Sequence, residues 1–161
     1  MRALLIPLLL VLSACGFQMR GTASLPFDTL YIPNAHSGVA LDLKRNILSG
    51  SRTAVVERAD AAQARLELGA EGKGRNILSL SGAGRVRELQ LVYRVNLRVH
   101  DGKGFDFIAP TTLSTTRDLT YNDTDLLAKE TEEANLYLEM QNDLVQQILR
   151  RLSAANAPAA R

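Results

Sequence analysis

From Leu89 to Val99 every odd position is apolar (Leu89, Leu91, Tyr93, Val95, Leu97, Val99). The even positions from 88 to 98 carry Glu88, Gln90, Val92, Arg94, Asn96 and Arg98. Successive side chains of a strand point to opposite faces of a sheet, so this period of two predicts a strand over Arg87–Val99 with one buried and one mostly polar face. That pattern belongs to an antiparallel sheet covered on one side only. Asp101-Gly102 with Lys103-Gly104 then reads as a hairpin turn, and Phe105 and Phe107 open a return strand. Pro110 is expected to bend that strand or put it at an edge, and the Thr/Ser-rich run to Thr116 and Leu119 keeps β-type composition. Upstream, Leu66, Leu68 and Ala70 fall on one face, and after Gly72-Lys73-Gly74 an apolar run continues through Ile77, Leu78 and Leu80. Thr29–Ile32 is a brief β-rich run stopped by Pro33.

Two segments change to helical spacing. Ser37 is a candidate cap for a helix in which Val39, Leu43 and Ile47 recur at i+4, with Gly50 as the stop. After Tyr121, Asn122, Asp123 and Thr124 are candidate caps for a second helix over Leu126–Leu152, roughly 40 Å long. Ala134, Leu138, Val145, Ile148 and Leu152 would form its apolar stripe, widened by Met140, Leu144 and Leu149. Each helix carries one stripe that must be buried. The expected fold is therefore α+β, a two-layer α/β sandwich with a mixed or antiparallel sheet of about four strands and both helices on its apolar face.

The chain has 161 residues, 46% hydrophobic and 22% charged, which suits one globular domain plus a short processing segment. Its only cysteine, Cys15, closes no intrachain disulfide, and two histidines (His36, His100) leave little material for a metal centre, so neither metal nor cofactor is expected. Arg2 followed by the apolar stretch Leu4–Leu12 is too short to cross a bilayer and fits a signal peptide. Leu12-Ser13-Ala14-Cys15 resembles the bacterial lipobox, which implies a diacylglycerol thioether and an N-acyl chain on Cys15 and a membrane-anchored mature protein. Gly16, in place of an Asp after the cysteine, favours the outer membrane. The expected organisation is a signal peptide over 1–14, a lipidated tether over 15–24, one domain over 25–152 and a flexible tail over 153–161.

Catalytic patterns such as Gly-x-Ser-x-Gly or His-Glu-x-x-His do not occur, and Gly69–Gly74 runs into strand-like sequence where a phosphate loop needs a helix. No catalytic residue is assigned. Charge placement is more informative. Between Gly72 and Gly104, Lys73, Arg75, Arg85, Arg87, Arg94, Arg98 and Lys103 face only Glu88 and Asp101. From Asp123 to Leu149, Lys129 stands alone against seven acids. The plain interpretation is a basic sheet face and an acidic helix face, both solvated. The sharper one is an anion site for phosphorylated lipid headgroups, to which arginine's planar fork is well matched. With 5% aromatic residues the chain offers no base-stacking platform, so no nucleic acid partner is expected.

Two segments carry a family resemblance. Cys15-Gly16-Phe17-Gln18-Met19-Arg20-Gly21 resembles the start of the lipopolysaccharide-assembly lipoprotein family LptE (RlpB), and Asp125-Leu126-Leu127-Ala128-Lys129-Glu130 through Ile148-Leu149-Arg150-Arg151-Leu152 resembles that family's last helix. Met19 stands where the family has Leu, a volume-conserving change. The resemblance implies a non-enzymatic outer-membrane lipoprotein on the periplasmic side. Such a protein plugs and helps assemble the β-barrel LptD and binds lipopolysaccharide in transit to the outer leaflet. It also implies that Lys129 matches the family's basic residue at the start of the last helix and that Arg85 or Arg87 is the nearest counterpart of a hairpin arginine. Lys129 with Arg75, Arg85 and Arg87 is the expected lipopolysaccharide-binding set. Other expectations are a structural lipoprotein of another envelope complex, in barrel assembly or peptidoglycan tethering, and, ranked last, an enzyme with an unfamiliar site. Replacing Cys15 by Ser is expected to abolish labelling by palmitate and release the chain from envelope fractions, which metabolic labelling with fractionation checks.

Overall fold

The computed structural model describes residues 24–121 and 126–155. In chain order these form β1 (Thr29–Tyr31), α1 (Gly38–Gly50), β2 (Ala54–Val56), a 3-10 turn (Ala59–Ala61), β3 (Ala64–Leu68), β4 (Gly72–Leu80), β5 (Val86–His100), β6 (Asp106–Thr120) and α2 (Leu126–Ala154). The signal peptide, Cys15 with the motif that follows it, the candidate caps Asn122–Thr124 and residues 156–161 lie outside the described residues.

The alternating segment is β5, and the sheet assembles around it. β6 pairs antiparallel along one edge, while β3 and β4 pair antiparallel in succession along the other. Beyond β3 the short strands β1 and β2 add in parallel, giving a mixed sheet. It has six strands rather than about four. β2 has only three residues and no alternation to reveal it, and the apolar run after Ala64 divides into two strands. Pro110 sits in β6 next to a register shift, with β6 pairing only β5, as expected of an edge strand.

The division between β3 and β4 is a bulge. Leu68 pairs with Leu97 but Gly72 pairs with Arg94, so four steps along one strand match three along the other. A one-residue offset exchanges the two faces of every residue downstream. Leu66 lies opposite Val99 on the core side, yet after the bulge it is the odd residues Lys73, Arg75 and Ile77 that lie opposite Tyr93, Leu91 and Leu89. Ala70, expected to continue the face of Leu66 and Leu68, falls in the bulge and is exposed.

Both helices cover the apolar face of β5. Leu91, Tyr93, Val95 and Val99 are fully buried, each such side chain contributing about 1.5–3 kcal/mol. Val39, Leu43 and Ile47 of α1 meet them as the i+4 spacing predicts, and α2 brings Met140, Leu144, Val145, Ile148 and Leu152. Ala134 and Leu138 do not belong to that stripe; they face solvent, and Glu133, Leu136 and Tyr137 take their place. The first half of α2 has too few apolar residues to fix its rotation from sequence, and polar contacts to β4 fix it instead.

Ser37 stands at the α1 N-cap position without a side-chain hydrogen bond. The cap comes from the bulge: the Val39 N–H donates to Glu71 Oε1 at 2.9 Å. Gly38 makes room for it, with φ of +59° and a position where a Cβ would lie 2.3 Å from that oxygen. The other Glu71 oxygen accepts the Tyr93 hydroxyl. Gln141, 3.3 Å from the same hydroxyl, donates to Asp42 at 2.6 Å, so one polar chain links the bulge, β5 and both helices. Replacing Glu71 by Ala is expected to lower unfolding free energy by about 1–2 kcal/mol, since it strips a cap and orphans a buried hydroxyl. Urea unfolding of the variant measures this.

Candidate functional site

The early turns of α2 lie against β4 because three side chains bind them there. Tyr137 donates to the Gly74 carbonyl at 2.9 Å, and Arg75 Nε donates to Glu133 Oε1 at 2.8 Å. Lys73 Nζ sits 4.9 Å from the Tyr93 ring centre and 5.2 Å from that of Tyr137, with the two rings edge to face. A cation against aromatic faces is held by their quadrupoles. All these contacts depend on the bulge, which turns Lys73 and Arg75 toward the helix.

The expected basic set is thereby divided. Lys129 lies one helical turn before Glu133, the acid that Arg75 holds. Lys129 Nζ holds Glu132 at 2.7 Å. Glu133 is only 8% exposed while the Arg75 side chain is 61% exposed, so the acid is fixed and the guanidinium reaches solvent from it. Arg85 closes the β4–β5 turn, its N–H bonded to Ser81 Oγ at 3.1 Å. It lies six residues beyond Leu91, the partner of Arg75, about 20 Å along a strand. Arg87 follows, exposed, with its carbonyl accepting the Tyr121 N–H. The four cations therefore form no tight cluster: Arg75 and Lys129 hold successive acids of α2, and Arg87 and Arg85 lie further along the hairpin.

The remaining expected cations face elsewhere. Arg94 and Arg98 lie on the outer face of the sheet, where Arg98 pairs with Asp106 at 2.9 Å. Asn96 with Thr112 and Gln90 with Asp118 add further polar pairs there. Thus the charge runs are partly joined across the two layers rather than simply solvated: Arg75 meets Glu133, and Arg117 meets Asp143. Glu133 and Tyr137 went unrecognised as partners of the basic run, and Lys73 was read only as one of its cations. Glu133 was within reach of helical arithmetic from Lys129, but pairing it with Arg75 requires the bulge.

Glu133 holds the Arg75 guanidinium above its ordinary value, so Arg75 stays charged at every accessible pH. Burial, then the hydrogen bond to Glu71, pushes the Tyr93 hydroxyl up, and burial followed by the field of Glu133 does the same to Tyr137. His100 is largely buried: Nδ1 accepts the Gly102 N–H and Nε2 lies 3.0 Å from Glu67. Among the described residues no group of three His, Cys, Asp or Glu is placed to hold a metal ion. Among the same residues no helix is long and apolar enough to cross a membrane. What the site offers chemically is fixed positive charge for an anion.

Residues 27–152 match the LptE family, described as lipopolysaccharide-assembly. The chain belongs to that family. The match spans every strand and nearly all of α2, so the LptE fold and the sandwich described above coincide. An uncharacterized lipoprotein B from Nitrosomonas europaea, solved in solution by NMR, is 40% identical with a TM-score of 0.73, covering 86% of this chain and 91% of that one. The rare lipoprotein B of Shewanella oneidensis (23% identity, TM-score 0.64, 78% of this chain and 92% of that one) shares the fold. So does a minor lipoprotein of Acinetobacter baumannii (22%, TM-score 0.63, 82% and 98%). Comparison with curated proteins finds no significant match.

The raised Tyr93 value sets a pH dependence. Below the ordinary value of 10.0 both folded and unfolded chains keep the proton. Above it the unfolded chain loses the proton first, so stability declines as pH rises. Replacing Tyr93 by Phe is expected to flatten that alkaline decline, leaving a residual slope from Tyr137. Thermal unfolding across the alkaline range measures it.

Proposed function

We propose that this LptE-family chain is an outer-membrane lipoprotein, anchored on the periplasmic side through acylated Cys15. In this reading it plugs and helps assemble the LptD β-barrel and binds lipopolysaccharide on its way to the outer leaflet. The observation that carries the reading is the family match over 27–152. Two features of the geometry support it. The sheet's outer face is a ladder of polar pairs suited to the polar lumen of a large outer-membrane barrel. The end formed by α2 and the β4–β5 hairpin carries the half-buried Lys129 and the exposed Arg75, Arg85 and Arg87, where lipid A or core phosphates can take parallel hydrogen bonds from the arginines. The role needs no catalytic group and no cofactor; the protein acts by shape and charge.

A different envelope complex, in barrel assembly or peptidoglycan tethering, is the competing reading. Affinity purification of the membrane-extracted protein separates the two: LptD in stoichiometric amount supports this proposal, and another barrel or murein defeats it. Replacing Lys129 and Arg85 by Glu is expected to weaken lipopolysaccharide binding by on the order of tenfold or more, through lost charge-assisted hydrogen bonds. Thermal stability should barely move, because the Lys129–Glu132 pair is a surface contact worth a few tenths of a kcal/mol. Unchanged affinity would remove the ligand site and leave the plug role standing.

A further inference from the structure

α1 and α2 run the same way across the sheet and end together. Asp42 of α1 meets Gln141 of α2, and further on Ile47 and Gly50 share an open groove with Gln146, Leu149 and Ala154. The groove has a volume of about 680 Å³, within the range of roughly 300–1,000 Å³ that takes a drug-sized molecule. Its apolar lining is continuous with the core: Ile47 is buried there, and Leu149 packs against it half-buried. Gln146 is exposed, and its amide makes no hydrogen bond among the described residues.

The chain enters the fold at this groove. Leu25, the second described residue, lines it, so the segment before it starts at the groove's edge. That segment carries two large apolar side chains, Phe17 and Met19, on positions that share a side when a chain is extended. Met19 is six residues ahead of Leu25 and Phe17 eight, extended reaches of about 20 and 27 Å. From Gln146 to Ala154 the helix rises only about 12 Å, so both side chains can reach all of the groove.

Charge favours the same seat. The C-terminus of a helix carries partial negative charge, on the order of half an elementary charge. α2 has Arg151 in its last turn, whereas the last turn of α1 has no basic residue. The Ile47 carbonyl accepts the Ser51 N–H and hydroxyl, and the carbonyls after it have no partner within the helix. Arg20, next to Met19, supplies a cation for that end.

We propose that Phe17 and Met19 seat in the groove between the ends of α1 and α2, with Arg20 at the C-terminus of α1. Cys15 then stands about 7 Å from the docked Phe17, against about 35 Å for a free leash running back from Leu25. The tether becomes a strap that holds the helix ends near the membrane and fixes the tilt of the domain. Docking needs no acyl chain; its effect on height above the membrane rests on acylation of Cys15.

Acylation consumes the only cysteine, so a pair introduced elsewhere supplies the only free thiols. Gln18→Cys leaves Phe17 and Met19 in place. Gln146→Cys lies in the groove, and Arg52→Cys, exposed and beside Ser24, lies outside it. In oxidised membranes Gln18→Cys with Gln146→Cys should form its intrachain disulfide about threefold or more over Gln18→Cys with Arg52→Cys, because docking raises the effective concentration of one thiol at the other. Mass spectrometry of the digested chain reads both yields. Changing Phe17 and Met19 to Ser should bring the two together. Equal yields with the native tether mean a free leash and overturn the proposal. Preferential pairing of Gln146→Cys with Ala159→Cys means that the C-terminal tail fills the groove, and also overturns it. The preference should persist in the unacylated Cys15→Ser chain; its loss there means that the membrane alone places the tether, and again overturns it. Where palmitate fails to label the parent yet the preference holds in Cys15→Ser, the anchor falls and the docked tether stands.

Discussion

One extra residue between β3 and β4 governs both the shape of this protein and the chemistry of its basic end. Before the bulge the strand gives Leu66 and Leu68 to the core; after it, Lys73, Arg75 and Ile77 face the helices in their place. Lys73 then rests against two tyrosine rings, and Arg75 reaches the almost buried Glu133. The bulge also carries Glu71, whose carboxylate caps α1 and holds the Tyr93 hydroxyl. Register, helix capping and the rotation of α2 are thus settled at one place, and a regular strand would have sent the same cations to the outer face.

This explains the unequal character of the two faces. The helix side is dry along the Val95–Val99 half of β5 and becomes polar from Tyr93 onward, past the bulge. The outer side is mostly polar apart from Val92, its pairs joining β5 to β6. A domain with one open, mostly polar sheet face and a basic end is organised along a single axis.

The legible parts of the fold were those with strong periodicity. β5 occupies Val86–His100 against an expected Arg87–Val99, α1 ends at Gly50, and α2 starts at Leu126 and runs two residues past the expected Leu152. The three-residue β2 was not legible, because so short a segment shows no period. The rotation of α2 was misread at Ala134 and Leu138, because Glu133 and Tyr137 are polar residues bound by partners more than fifty positions away. Of the candidate site, the cations could be listed from the sequence, whereas their placement could not: Arg75 holds Glu133, Lys129 holds the neighbouring Glu132, and Arg85 closes the β4–β5 turn.

Local chemistry alone determined the strand alternation of β5, the turn at Asp101–Gly104, the i+4 face of α1 and the concentration of cations ahead of an acidic helix, because each depends on neighbours within a few residues. The tertiary structure decided which face each cation takes and what caps α1. Ser37 sits at the N-cap position, yet the acceptor is Glu71, 32 residues from the Val39 N–H it serves. A one-residue offset in strand pairing leaves no local mark in composition or period, and its effect appears only when β3 and β4 are laid along the same edge of β5.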